Sequence, residues 1–298
     1  MRQSKPEYNK DAKANMVVFF GIIFLLAVLS GCSSAPKKPA EVFTDRNIAT
    51  NQLNLANQTA NRGRYEEALH LLAEARRIAV STDDQQLRLK TSMARGNILF
   101  ALGRHDEAFQ ELENSAAEGD ASSEKVLASL ARIYIIRARL RQQEEGIKND
   151  DAIKELIVQL NREMSGVGSD SIATAAGYVT LGMAAKLNGR FSEAENVVKK
   201  ALEIHEKGRF LEDSAYDWFL IASIRSMAGY YDLSIEALKR AISFDRRAEN
   251  GFGLASSWQA MGDVYKKAGN NNESSLAYRR AAEIYRTIGF DERAEKLE

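Results

Sequence analysis

The chain has 298 residues, of which 45% are hydrophobic and 28% charged, and it contains only three prolines. This composition favours a folded, helix-rich protein over a disordered or β-rich one. Lys+Arg and Asp+Glu both total 41, a balance that gives no electrostatic case for binding nucleic acid. Cys32 is the single cysteine, so a disulfide within the chain is excluded.

Residues 1–31 have the pattern of an export signal. Residues 1–15 carry a net charge of +2, and an apolar run follows from Met16 to Leu29. This run is too short for an ordinary membrane span but has the length of a signal-peptide core. It ends in Leu-Ser-Gly-Cys32, which resembles the lipobox of bacterial lipoproteins. The alternative is a plain signal anchor with an incidental cysteine.

The lipoprotein resemblance implies that residues 1–31 are removed and that Cys32 becomes a lipidated N-terminus. Several acyl chains, at about 0.8 kcal/mol per buried methylene, would hold the protein firmly in a membrane. Ser33 follows the cysteine where an Asp would be expected for retention in enterobacterial-type sorting. We therefore expect a palmitate-bearing protein on the bacterial outer membrane, facing the periplasm.

Residues 32–45 predict a flexible tether between the lipid and a folded domain. From Ser33 to Glu41 the residues are small, polar or proline, without an apolar period. Lys37 and Lys38 could contact anionic headgroups, but two lysines contribute little, and a solvated linker is the favoured explanation.

From about residue 46 onward the sequence predicts repeated helical hairpins. Apolar residues recur at three- and four-residue steps on both sides of a glycine that can take positive φ. The first unit, from about Ile48 to Ala79, turns at Gly63, and the second turns at Gly103, 40 residues later. The first helix of the first unit is less regular, with Gln52 at an apolar position, as expected for a terminal repeat.

Residues 122–164 keep helical periodicity but lose the recurring motif. Gly146 lies 43 residues from both Gly103 and Gly189, which predicts a degenerate third hairpin. One long helix is the alternative. Residues 165–170 then form a connector, because their Gly-x-Gly follows no strand and completes no phosphate-binding fingerprint.

The fourth unit has the most complete pattern. Its large and small apolar residues follow a fixed order: Tyr178, Leu181, Gly182, Ala185, Gly189, Phe191, Ala194, Val198 and Ala201. This pattern resembles the tetratricopeptide repeat (TPR). Gly182 and Ala194 are expected where two helices cross closely. The fifth and sixth units turn at Gly229 and Gly269, again at steps of 40 residues.

The TPR resemblance implies an all-α fold, a right-handed superhelical solenoid of about six hairpins over residues 46–288. A capping helix is predicted in residues 289–298. The period of about 40 residues exceeds the usual 34 of the family, so longer helices or longer loops are expected.

The sequence offers no constellation for catalysis or metal binding. The three histidines, His70, His105 and His205, have neither His-x-x-x-His spacing nor cysteine partners, and we interpret them as solvated or capping side chains. Motifs for a serine nucleophile or a phosphate-binding loop are absent. We therefore expect no enzyme activity, no cofactor and no metal.

The densest basic run consists of Arg132, Arg137, Arg139 and Arg141. Positions 137, 139 and 141 do not share one helical face, so the pattern favours solvated charges over a basic binding stripe.

The TPR resemblance places partner binding on a concave surface lined by the first helix of each hairpin. Carried over by register, the groove positions of this sequence are Asn57, Asn61, Met93, Asn97, Phe100, Val179, Met183, Lys186, Phe219 and Ser223. Asn57 and Asn97 match asparagines of the family's carboxylate clamp, but Leu53 and Met93 stand where its lysine would be, which argues against a clamp. Met93, Phe100, Met183 and Phe219 could instead be ordinary core between repeats.

We therefore expect a lipid-anchored TPR scaffold that binds a protein partner, as a helix or an extended peptide, in an envelope assembly. The alternative is a periplasmic protein that encloses a small apolar ligand and serves a transporter.

Overall fold

The computed structural model describes residues 43–298, a range in which thirteen α-helices and no strands occur. The predicted signal peptide (residues 1–31), Cys32 and most of the predicted tether (residues 32–45) lie outside the described residues. The helices are α1 (Thr44–Asn61), α2 (Tyr65–Ser81), α3 (Gln85–Ala101), α4 (His105–Ala121), α5 (Lys125–Glu145), α6 (Asp150–Gly166), α7 (Ser171–Leu187), α8 (Phe191–Gly208), α9 (Leu211–Met227), α10 (Tyr231–Ala248), α11 (Gly251–Lys267), α12 (Asn271–Thr287) and α13 (Asp291–Glu295).

The first twelve helices pack as six hairpins, and the short α13 follows them. This architecture confirms the predicted all-α superhelical solenoid of TPR-like hairpins. Most of the twelve helices are nearly equal in length and are joined by short loops. The period exceeds the one usual in the family because the helices, not the loops, are long.

The third hairpin exists, so the alternative of one long helix is wrong. Helix α5 ends at Glu145 and α6 begins at Asp150. Asn149 caps α6, since its side-chain oxygen accepts hydrogen bonds from the backbone N–H groups of Asp151 and Ala152, both at 3.1 Å. Gly146 stands at the turn but does not adopt positive φ, unlike Gly103 and Gly189.

Small buried residues mark the crossing of the two helices in five of the hairpins. The first helices contribute Ala56, Gly96, Gly182, Ala222 and Gly262, and the second helices contribute Ala68, Ala108, Ala194, Ser234 and Ser274. A methyl group built on Gly182 would lie 2.3 Å from Cγ2 of Val198, which leaves no space for a side chain. Close approach of the backbones is therefore built into the repeat.

Two serines replace alanine at these crossings without leaving a buried hydroxyl unpaired. Ser234 Oγ donates to the carbonyl oxygen of Ala222 at 2.7 Å, and Ser274 Oγ donates to that of Gly262 at 2.9 Å. Each hydroxyl thus bridges the two helices of its own hairpin, and the buried polar group is compensated.

The apolar core is divided along the solenoid. A central cluster extends from Leu89 to Ala277, whereas a separate cluster from Ala49 to Ile98 belongs to the first hairpins. A third cluster, which includes Tyr285 and Ala294, joins α11, α12 and α13. The first helices of successive hairpins contact one another, α1 with α3 and so on to α9 with α11, and so form the inner layer.

The first hairpin also contacts the last one. Helix α1 touches α11, and the Tyr65 ring at the start of α2 meets Phe252 and Phe290 edge-on, at centroid distances of 6.5 and 6.4 Å. The six hairpins therefore complete one superhelical turn and close on themselves.

We expect Gly182→Ala to lower the free energy of unfolding by about 1–3 kcal/mol, because the new methyl group collides with Val198 in a packed crossing. Chemical denaturation of Gly182→Ala, Val198→Ala and the double variant measures this. The double variant should lose less than the sum of the two single losses, since shortening Val198 makes room for the methyl group. Strict additivity would contradict the packing argument.

Candidate functional site on the inner face

The inner layer carries a group of polar and aromatic side chains from three consecutive first helices. Its members, which we call the inner-face cluster, are Tyr134, Arg137, Arg141 and Glu144 of α5, Thr180, Met183 and Lys186 of α7, and Tyr216 and Ser223 of α9. Helix α5 is longer than its neighbours and lacks the repeat motif, so its inner positions are free to carry arginine and tyrosine.

The interpretation of the basic run as solvated charges is wrong for two of its members. Arg137 and Arg141 are one helical turn apart and point to the same side of α5, where both are half-buried. Arg139 lies on another side, is exposed, and has Glu113 at 4.0 Å. The i,i+4 spacing within the run was the available signal for a shared face.

Neutral groups of the neighbouring helices hold the two guanidinium groups. Arg137 donates to Thr180 Oγ1 at 3.2 Å and to the carbonyl oxygen of Ala176 at 2.9 Å. Arg141 donates to the Tyr216 hydroxyl at 3.4 Å, and its guanidinium carbon is 5.9 Å from the centre of that ring. Within the described residues, neither guanidinium has a carboxylate oxygen within 4.0 Å.

Lys186 is the third cation of the cluster, and it is compensated. Only 3% of the residue is exposed. Its ammonium group donates to Glu144 at 2.5 Å and to Ser223 Oγ at 3.4 Å. Arg137 and Arg141 are therefore the cations of the inner-face cluster that form no direct ion pair with another described residue, although the charges of Glu144 and Glu145 act on Arg141 from a greater distance.

The pKa values of the two tyrosine hydroxyls in the cluster are shifted in opposite directions. Burial favours the neutral form of Tyr216, but the positive charges of Arg141 and Arg137 outweigh burial and lower the pKa of its hydroxyl. Burial raises the pKa of Tyr134, whose ring centre lies 5.2 Å from the guanidinium carbon of Arg137. The two guanidinium groups, each beside a tyrosine ring, thus give the cluster hydrogen-bond donors and positive charge suited to carboxylate groups.

Comparison with known proteins identifies two of the hairpins. Residues 174–208 and residues 255–288 each match a family model described as tetratricopeptide repeat. The chain contains TPR repeats.

Solved structures with similar folds cover most of the chain at low sequence identity. A Rap protein complexed with Competence and Sporulation Factor is 16% identical, with 84% of this chain and 68% of that chain covered and a TM-score of 0.56. PilW, a type IV pilus biogenesis factor, is 13% identical, with 84% and 98% covered and a TM-score of 0.49. The TPR protein TTC0263 from Thermus thermophilus is 14% identical, with 84% and 98% covered and a TM-score of 0.39. The likeness to the Rap protein shows the fold alone. No curated protein matches the chain.

In the structure, half of the predicted groove residues are buried and the other half are accessible. Met93, Val179, Met183 and Lys186 are at most 3% exposed, and Phe100 is 9% exposed. The others are accessible in the structure: Asn57 and Asn97 are exposed, and Asn61, Phe219 and Ser223 are half-buried.

Three of these predicted residues meet in the inner-face cluster, namely Met183, Lys186 and Ser223. Met183 Sδ lies 3.7 Å from the Tyr216 hydroxyl. Phe100 instead stacks on His105 at 4.6 Å, in a separate apolar cluster with Leu99. A role in partner binding stays a prediction for the whole set.

The structure corrects the interpretation of His205 as a solvated or capping residue. His205 is buried between α8 and α9, and its Nδ1 lies 2.6 Å from Oδ2 of the fully buried Asp217. Burial lowers the pKa of His205, but the hydrogen bond and the charge of Asp217 outweigh it and raise the pKa above its usual value. Burial raises the pKa of Asp217 to about 6.

The same junction recurs one repeat later with different polar groups. Asp245 and Ser257 stand in the positions of His205 and Asp217. Asp245 accepts a hydrogen bond from Asn250 at 2.7 Å, but burial dominates and raises the pKa of its carboxyl group to about 7. Polar residues thus pack between the fourth, fifth and sixth hairpins.

No metal site emerges from these groups, since no three His, Cys, Asp or Glu side chains gather as possible ligands within residues 43–298. Over the same range, no helix has both the length and the apolar character needed to cross a membrane.

The buried carboxyl group of Asp245 predicts a pH dependence of stability. Between about pH 4 and 7 the folded protein keeps this proton while the unfolded chain has lost it, so stability falls as the pH rises. We expect Asp245→Asn to remove this loss. The difference in free energy of unfolding, variant minus wild type, should then increase by on the order of 2–4 kcal/mol between pH 4 and pH 8.

Urea denaturation at several pH values checks this expectation. Glu236→Gln removes the same charge from an exposed position of α10 and is the matched control, with a profile parallel to that of the wild type. If the profiles of Asp245→Asn and the wild type are parallel, the buried carboxyl group of Asp245 is not the source of the pH dependence.

Proposed function

We propose that this protein is a non-catalytic scaffold that is held to the bacterial outer membrane by lipid on Cys32 and binds an acidic segment of a protein partner on its inner face. The observation that carries the binding part is the pair Arg137 and Arg141. Both are half-buried and oriented by neutral partners, and neither forms a direct ion pair with a carboxylate in the part of the chain that the structure describes.

The surroundings of the pair differ from those of two other partly buried arginines. Arg95 forms an ion pair with Glu111, and Arg225 forms one with Glu195. Desolvating a charge costs free energy unless an opposite charge compensates it. A carboxylate from a partner would supply this compensation, and the planar fork of arginine can bind it through two parallel hydrogen bonds.

The fold supports a protein or peptide as the partner. TPR repeats generally mediate protein–protein interaction, and the similar Rap protein was solved in complex with Competence and Sporulation Factor. An inner layer of first helices presents Tyr134, Tyr216 and the two arginines together, and aromatic and arginine side chains are enriched where proteins bind one another.

The open clefts of the solenoid do not favour the small-ligand alternative. One of about 760 Å³ lies beside the turn at Gly189 and is lined by Arg190, Glu193 and Glu195 among others. A second of about 530 Å³ lies beside the next turn, at Gly229. Both are open to solvent and lined by polar as well as apolar side chains, whereas an apolar ligand requires an enclosed apolar pocket.

Partner capture tests the binding part. In-cell crosslinking followed by purification should recover a protein with wild-type chain and lose it with Arg137→Glu/Arg141→Glu, because the reversed charges repel an acidic segment. Arg139→Glu, on another side of the same helix, is the matched control and should retain the partner. Equal recovery with all three proteins, each shown to be folded by circular dichroism, would refute binding through the inner-face cluster.

Lipid attachment rests on the Leu-Ser-Gly-Cys32 motif and the apolar run before it. We expect Cys32→Ala to abolish incorporation of labelled palmitate and to release the protein from the membrane fraction, since the acylated thiol is lost. Ser33→Ala is the control and should remain labelled. Labelling that persists in Cys32→Ala would contradict the lipoprotein proposal.

A further inference from the structure

The contact that closes the superhelical turn is small and specific. Tyr65 lies against Phe252 and Phe290, which themselves meet at a centroid distance of 5.2 Å. Gly63, at the turn between α1 and α2, fits directly against the Phe290 ring. We call these four residues, Gly63, Tyr65, Phe252 and Phe290, the closing contact.

The closing contact is less extensive than the junctions between successive hairpins. The ion pair of Arg62 with Glu249, at 3.1 Å, lies near it, but its side chains are 43% and 77% exposed, and such a pair contributes little to stability. The apolar cluster of the first hairpins is separate from the cluster that joins α11, α12 and α13. The first and last hairpins can therefore part without exposing a continuous core.

The closing contact also adjoins the inner-face cluster. Helix α11, which begins beside Phe252, contacts α1 on one side and α9 on the other, and α9 carries Tyr216 and Ser223 of the cluster. Parting of α1 from α11 would therefore give a chain a lateral route toward α9.

We propose that the closing contact is a latch, and that its release admits a partner segment to the inner-face cluster from the side. The identity of what enters rests on the proposed function, whereas the latch itself is a property of the free protein. Local opening of this kind is expected where few buried contacts join two stable units.

The turn glycines supply a matched pair of variants for testing the latch. Gly63 has φ of +79°, and a methyl group on it would lie 2.1 Å from the Phe290 ring. Gly103, at the equivalent turn of the second hairpin, has φ of +76° and no atom within 4 Å of such a methyl group. Alanine strains the backbone equally at both turns, but only Gly63→Ala pushes Phe290 away.

Small-angle X-ray scattering of the full chain in detergent measures the opening. We expect Gly63→Ala to have a larger radius of gyration than Gly103→Ala, and Gly103→Ala to match the wild type. Phe290→Ala, which leaves the turn of the first hairpin unchanged, should expand the protein as Gly63→Ala does. The Phe290→Ala variant still tests the latch if Gly63→Ala unfolds the first hairpin. Equal radii for the wild type and Phe290→Ala would overturn the latch.

Access to the inner face is measured separately with Ser223→Cys as a probe. A maleimide carried on a polyethylene glycol chain should label residue 223 several-fold faster in the Gly63→Ala background than in the Gly103→Ala background, as followed by peptide mass. Equal rates would show that the contact does not control access. Neither experiment uses a partner, so failure of the latch leaves the capture experiment on Arg137 and Arg141 standing, and the reverse also holds.

Discussion

The close crossing of two helices within each hairpin is the constraint on which the rest of the structure depends. Gly182 meets Val198, and Gly96 meets Leu112, at distances that leave no space for even a methyl group. A helix pair this close fixes where the next hairpin can pack, because packed interiors transmit small displacements. The stacked hairpins then bury the apolar face that a single hairpin leaves exposed.

Several buried polar groups of this framework either have a partner that compensates them or have a titration that burial shifts. Ser234 and Ser274 bond to carbonyl oxygens of the facing helix. Asp217 and Asp245 lie at junctions between hairpins, and burial raises the pKa of both carboxyl groups, to about 6 and about 7. The last three hairpins therefore carry a pH-sensitive component of stability.

The inner-face cluster arises where the repeat departs from its own pattern. Helix α5 has lost the motif residues, and Arg137 and Arg141 occupy its inner side. Their i,i+4 spacing could have identified a shared face. Their meeting with Tyr216 could not have been predicted, because it depends on how α5, α7 and α9 stack, which no local pattern encodes.

The sequence by itself determined the helices, the turns and the small residues at the crossings, because these follow from local periodicity and from steric limits at Gly182 or Gly189. It also predicted six hairpins, but it left one long helix as the alternative to the degenerate third, and only the structure excluded that alternative. Only the tertiary structure decided that His205 is buried against Asp217 and that Tyr65 meets Phe290. Small rotations between hairpins accumulate along a solenoid, so whether the first hairpin reaches the last depends on the sum of them all.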